Sequence, residues 1–172
     1  MSETDLLIAN SARYAAAFDK GELASAPARK VAVIACMDAR LDPARLLGLE
    51  EGDAHVIRNA GGVASDDAIR SLSISQHLLG TEEVIVLQHT NCGLLTFTDE
   101  EFVDHLERET GREPDWPVHA FEDLDENVRD SVRRIRTSPF VPRTDSVRGF
   151  VYEVESGRLR EVPEAREPTV TK

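Results

Sequence analysis

The sequence predicts an α/β fold: a central, mostly parallel sheet flanked by helices. Two observations carry that expectation. Val31–Ala35 is a short, β-branched, apolar run, and Glu83–Leu87 rises through Val84, Ile85 and Val86 in the same way, as expected of strands covered on both faces. Between them come a short helix, another short strand and a longer helix, and this alternation favours parallel pairing through right-handed crossovers. Both runs also stop abruptly at polar, chemically capable residues. Ligands of such sheets bind at the carboxyl ends of the strands.

Composition bounds what the fold can serve. The 172 residues are read as a single domain, 1–172, with 41% hydrophobic residues and no apolar run long enough to span a bilayer. The opening MSETDLLIANSARYAAAF is acidic and polar where an export signal needs a basic region and an apolar core, so a cytoplasmic location is expected. A net charge of −12, with three lysines against seventeen arginines, argues against nucleic acid or an anionic membrane as partner. Cys36 and Cys92 are far apart in the chain, and a structural disulfide is the weaker reading for them.

The elements follow in order. Leu6, Leu7, Ala9, Ala12, Tyr14 and Phe18 give an amphipathic helix over Glu3–Asp19, with Gly21 as its stop, so residues 1–21 form a helical arm. Glu22–Arg29 connects into the first strand. Pro43 starts a short helix to Leu47 that Gly48 closes. Ala54–Arg58 is the second strand, ending in the loop Asn59-Ala60-Gly61-Gly62, which has little side chain to keep a ligand from the backbone. Ser65 caps a helix with Asp66 and Asp67 in its first turn, which continues through Ile69, Leu72, Gln76 and Leu79 to Gly80. Thr98 and Glu101 form a capping box ahead of a helix to Thr110, and Phe121–Arg136 reads as another. Val147–Val154 turns at Ser156-Gly157 into Leu159–Val162 as a terminal antiparallel hairpin. Residues 163–172 read as a frayed tail.

The chemistry gathers at the strand ends. His89 and Cys92 are spaced so that a short loop can aim an imidazole and a thiolate at one ion, and Cys36 adds a third donor from the neighbouring strand end. Two sulfurs and one nitrogen suit Zn²⁺, and three protein ligands leave one position open, the pattern of a catalytic site. Asp38 and Arg40 project to the same side and can meet as a charge-assisted pair. The carboxylate can then accept a hydrogen bond from a metal-bound hydroxide, or bind the metal itself if Arg40 releases it.

Cys36-Met37-Asp38-Ala39-Arg40, followed by His89-Thr90-Asn91-Cys92-Gly93, resembles the β-class carbonic anhydrases, in particular their short bacterial and archaeal branch. Arg58-Asn59-Ala60-Gly61-Gly62 is similar to the family's pocket loop, and the resemblance runs from about Val31 to Val162. It implies one zinc ion per subunit on Cys36, His89 and Cys92, with Asp38 and Arg40 as the catalytic dyad and Asp38 as a conditional fourth ligand. Ala60, Gly61 and Gly93 would border the substrate pocket. It further implies reversible hydration of carbon dioxide to bicarbonate by hydroxide on zinc, in a homodimer or higher homo-oligomer whose N-terminal helix packs on the partner. Some family members carry a bicarbonate-binding regulatory site built on Trp, Arg and Tyr; the only tryptophan here, Trp116, lies in a late loop, and that regulation is not expected. His55, His77, His105 and His119 are read as surface or packing residues, with no proton shuttle singled out. Two other readings stay open: hydrolysis of carbonyl sulfide or carbon disulfide at the same site, and a non-catalytic zinc or thiol sensor.

Overall fold

The computed structural model describes residues 1–164. Strands β1 (Val31–Cys36), β2 (Ala54–Asn59), β3 (Glu83–His89), β4 (Ser146–Tyr152) and β5 (Leu159–Val162) form one sheet in the order β2-β1-β3-β4-β5. The first four are mutually parallel, and β5 runs antiparallel to β4 at the edge. The expected sheet and terminal hairpin are both present. In β1 every residue after Val31 is buried, whereas β2, at the other edge, alternates with exposed positions. A continuously apolar run thus occupies the middle of the sheet, as covering on both faces requires.

Among the described residues five α-helices complete the fold: α1 (Glu3–Ala16), α2 (Pro43–Leu47), α3 (Asp66–Leu79), α4 (Asp99–Thr110) and α5 (Leu124–Thr137). Their ends follow local chemistry. The Asp42 carboxylate caps α2 with Pro43 in its first turn, and Gly48 ends it in the left-handed conformation at φ 64°. The Ser65 hydroxyl accepts from Ala68 N to start α3, and Thr98 with Glu101 makes the capping box of α4.

Several boundaries depart from the expectation: β3 runs on to His89 and β4 spans Ser146–Tyr152 instead of Val147–Val154, and three other differences have a visible cause. Helix α1 stops at Ala16 instead of Asp19; the Tyr14 hydroxyl and the Lys20 ammonium both bind Glu51, at 2.6 and 2.8 Å, and the chain leaves helical geometry between them. Helix α5 begins at Leu124 instead of Phe121. Asp123 caps it by accepting from Glu126 N, while Phe121 N donates to the Leu94 carbonyl and its ring is buried beneath the strand ends. The expected loop at Asn59–Gly62 is tighter than a loop: β2 runs through Asn59, and Ala60–Gly62 forms a single 3₁₀ turn. Of the tail expected to fray, Pro163 and Glu164 are held by Arg129 and Arg136, and the remainder lies outside the described residues. Among the described residues no helix is long and apolar enough to cross a membrane.

The sheet has a core on each face. Ala32, Ile34, Val84, Val86 and Val147 pack with Leu72 of α3 and Val132 and Ile135 of α5. Val33, Ala35 and Leu87 pack on the other side with Leu41, Val63 and Phe121, and this second core contains Cys36 and Cys92. Helix α5 reaches β4 so closely that a Cβ on Gly149 would lie 2.3 Å from Val128 Cγ1 and 3.2 Å from Val132 Cγ2. Gly149→Ala is therefore expected to cost about 1–3 kcal/mol of stability, read from urea unfolding. Combined with Val128→Ala it should cost less than the sum of the single changes, because the second change removes the clash created by the first.

Candidate metal centre

Because β1 and β3 are adjacent and parallel, their carboxyl ends lie side by side. Cys36 closes β1 and His89 closes β3. After Thr90 the chain turns back through Asn91, which takes the left-handed conformation at φ 53°. That turn brings Cys92 Sγ to 4.0 Å from Cys36 Sγ. Both cysteines are free, and the three donor atoms of Cys36, His89 and Cys92 all lie within 4.8 Å of one another, in buried side chains.

The imidazole is oriented for ligation. His89 Nδ1 is 2.8 Å from the Thr90 carbonyl, which can only accept, so Nδ1 carries the hydrogen and Nε2 offers a lone pair. Nε2 is fully buried and has no hydrogen-bond partner among the described residues. A buried acceptor left in that state is costly, and an ion meeting it together with two sulfurs removes the cost. The donor set fits a soft divalent metal with tetrahedral preference.

Electrostatics point the same way. The S–H···S contact with Cys92 holds the Cys36 thiol down to about 4, against the opposing effect of burial and with help from His89 and the Asp38 backbone. The same contact, together with burial, pushes Cys92 up. As a pair the thiols lose one proton readily and the second reluctantly. Burial works against a charged His89, but Cys36, the Thr90 carbonyl and Asp38 outweigh it and raise its pKa. Positive charge is thus favoured among these donors.

Asp38 and Arg40 meet as a bidentate pair. Arg40 Nε donates to Asp38 Oδ1 at 2.9 Å and Nη2 to Oδ2 at 2.7 Å, while the Arg40 backbone N–H donates to Oδ1 at 2.8 Å. The guanidinium first of all, then the backbone N–H and His89, hold the carboxyl well below the usual carboxylate range, against burial. Asp38 is therefore ionised and can only accept hydrogen bonds. Its Oδ2 lies 3.6 Å from His89 Nε2, so the carboxylate faces the donor set while it remains bound to Arg40. Arg40 is half-exposed, which makes the pair worth little as a stabilising contact; its value is positional.

The glycines expected at the pocket behave differently from one another. Gly61, at φ 80°, is buried, and a Cβ there would lie 2.7 Å from Leu94 Cδ2 and 3.2 Å from Phe121 Cε1. Ala60 is half-buried, and Gly93 is exposed with open space where a side chain would go. Three of the four remaining histidines have other contacts: His55 bonds Ser75 at 2.8 Å, His77 bonds the Phe140 carbonyl at 3.2 Å, and His105 packs on Phe102.

Sequence reasoning left Arg58 without a role. Its Nε and Nη2 donate to the Cys36 carbonyl at 3.0 and 2.7 Å, and Nη2 also reaches the carbonyls of Asp38 and Leu41 at 2.8 and 2.9 Å. One guanidinium thus shapes the whole segment that carries Cys36, Asp38 and Arg40. The available signal was an arginine closing a strand beside the site strand, at a position where an apolar residue would also have fitted the pattern.

A mostly parallel α/β sheet with a buried Cys-His-Cys donor set and an ionised carboxylate at its carboxyl edge defines a protein with a candidate metal site. A family model described as carbonic anhydrase matches residues 31–159, and the chain belongs to that family. It is 54% identical to beta-carbonic anhydrase 1 of Mycobacterium tuberculosis over 162 residues, covering 94% of this chain and 99% of the relative. It is 37% identical to a carbon disulfide hydrolase of Acidianus sp., covering 77% of this chain and 76% of the relative. A crystal structure of carbonic anhydrase from Streptococcus mutans superimposes with a TM-score of 0.87 at 43% identity, covering 95% of this chain and 99% of that one.

Arg58→Met keeps the aliphatic stem but leaves three carbonyls without their donor. Supporting groups of this kind are worth about 10–100-fold in metal affinity. A loss in that range is expected when divalent-metal binding is measured by competition with a chromophoric chelator; unchanged affinity would deny Arg58 its shaping role.

Proposed function

We propose that this chain catalyses the reversible hydration of carbon dioxide to bicarbonate and a proton, as a carbonate dehydratase with one zinc ion per subunit held by Cys36, His89 and Cys92. The observation that carries the reading is the buried, unpartnered His89 Nε2 facing two thiols beside an ionised Asp38. Zinc bound at such a centre supplies Lewis acidity, lowering the pKa of a coordinated water from about 16 toward neutrality.

The chain's own residues do the rest. The Thr90 carbonyl keeps the hydrogen on His89 Nδ1 and so keeps Nε2 available as a donor of electrons. Asp38 Oδ2, held by Arg40, accepts a hydrogen bond from a nucleophilic O–H and fixes its orientation toward the substrate carbon. Arg40 keeps Asp38 from acting as a fourth ligand, so the pair works as a gate. The short side chains of Ala60, Gly61 and Gly93 suit a small linear substrate.

A homodimer fits the same reading. Against the described residues α1 buries none of its side chains, and Leu6, Leu7 and Ile8 are 47%, 67% and 63% exposed. A second copy packed on this arm would cover them. Two reduced cysteines fit a cytoplasmic setting.

Zinc-loaded protein near pH 8.5 should hydrate carbon dioxide rapidly in stopped flow and lose that activity when zinc is removed. Carbonyl sulfide under the same conditions tests the hydrolase reading, to which the more distant carbon disulfide hydrolase relatives belong; slow hydration with rapid sulfide release would transfer the assignment to it. Silence on both, with freely reactive thiols in the zinc-loaded protein, would indicate a sensor.

Two further outcomes are expected. Two thiolates place more negative charge at the centre than three imidazoles would, so activity should rise from pH 6 toward alkaline pH; a profile flat down to pH 6 refutes this. Arg40→Ala should lose at least about tenfold in kcat/KM, because Asp38 is no longer held away from the donors, and a fully active variant would remove the gate from the mechanism.

A further inference from the structure

The grip of Arg40 on Asp38 has a further anchor that belongs neither to the donor set nor to the pair. Arg40 Nη2, besides binding Asp38 Oδ2, donates to the Asn91 carbonyl at 2.9 Å. Asn91 can present that carbonyl because its backbone is left-handed, at φ 53°, a conformation most residues with a side chain avoid. Its own side chain is engaged in turn: Nδ2 donates to Glu155 Oε1 at 2.9 Å, from the exposed turn between β4 and β5. Thr90 clamps the loop to the same hairpin, its N–H donating to the Tyr152 carbonyl at 2.9 Å and its hydroxyl accepting from Val154 N at 3.1 Å.

A chain of contacts therefore runs from the sheet-edge turn to the gate, through Glu155, Asn91, Arg40 and Asp38. We propose that Glu155 and Asn91 are positioning residues for the Asp38–Arg40 gate: Glu155 holds Asn91 left-handed, and the Asn91 carbonyl fixes the guanidinium where it keeps Asp38 off the metal donors. This rests on the reading above that the pair serves a metal centre. Glu155 is solvent-exposed, and the contact its side chain makes toward the site is the one with Asn91.

The geometry dictates which substitutions matter. Glu155→Gln keeps an amide oxygen able to accept from Asn91 Nδ2, whereas Glu155→Ala removes the acceptor. With the acceptor gone, Asn91→Gly restores the turn by another route, since glycine takes a positive φ without strain and keeps the carbonyl.

The test compares wild type, Glu155→Ala, Glu155→Gln, Arg40→Ala and the double variant Glu155→Ala/Asn91→Gly. Each is studied zinc-loaded for carbon dioxide hydration and cobalt-substituted for its visible spectrum. Glu155→Ala is expected to shift the cobalt bands toward those of Arg40→Ala and to lower kcat/KM about three- to tenfold, the worth of one hydrogen bond to the gate. Glu155→Gln and the double variant should return both readouts to wild type. A wild-type spectrum in Glu155→Ala overturns the proposal, as does a double variant no better than Glu155→Ala alone. If the wild-type protein failed to hydrate carbon dioxide, the functional reading would fall, while the cobalt spectra would still decide whether Glu155 and Asn91 position the gate.

Discussion

Everything at the candidate site depends on the parallel pairing of β1 with β3. Their register, from Val31 opposite Glu83 to Ala35 opposite Leu87, carries both strands to the same edge of the sheet. An antiparallel pairing would have put Cys36 and His89 at opposite ends. The pairing is enforced by burial, since β1 is covered on both faces and β3 on most of its length, and a slip by one residue would exchange the two cores.

The second constraint is how tightly the neighbouring loop closes over those strand ends. A Cβ on Gly62 would lie 2.6 Å from the Cys36 N and 2.8 Å from the Leu87 carbonyl oxygen. Only a glycine permits that approach, and its φ of 65° asks for glycine as well. Asn59 locks the turn from its other end, accepting from Val63 N at 3.0 Å and donating to the Val63 carbonyl at 2.8 Å. The result is a site whose sulfurs lie inside a packed core while the half-exposed Arg40 guanidinium holds the Asp38 carboxylate facing the donor set. That division sets the electrostatics. Two buried thiols and an imidazole whose Nε2 has no partner among the described residues call for a cation, and Arg40 with Arg58 places positive charge locally on a protein whose net charge is −12.

Much of this was legible in the sequence because it is governed by local rules. Apolar β-branched runs announced the buried strands, and Pro43, Ser65, Thr98 with Glu101, Gly48 and Gly80 marked helix ends through local chemistry that needs only near neighbours. The misplaced boundaries were those set from a distance. Asp19 is helical by pattern, but Glu51 binds both Tyr14 and Lys20 across the turn. Phe121 is apolar at helical spacing from α5, yet its ring is drawn into the core beneath the strand ends and its N–H to Leu94.

By itself the sequence determined the donor types, their spacing and the strands that deliver them, because residue chemistry and apolar periodicity are written along the chain. Only the tertiary structure decided that Cys36 Sγ, Cys92 Sγ and His89 Nε2 share one small volume, that Nε2 is the free nitrogen, and that Arg58 and Asn91 hold the segment carrying Asp38 and Arg40. Those contacts join residues distant in sequence, through carbonyls that every residue possesses. A backbone carbonyl has no signature in a sequence; it becomes a specific partner only when the fold aims it.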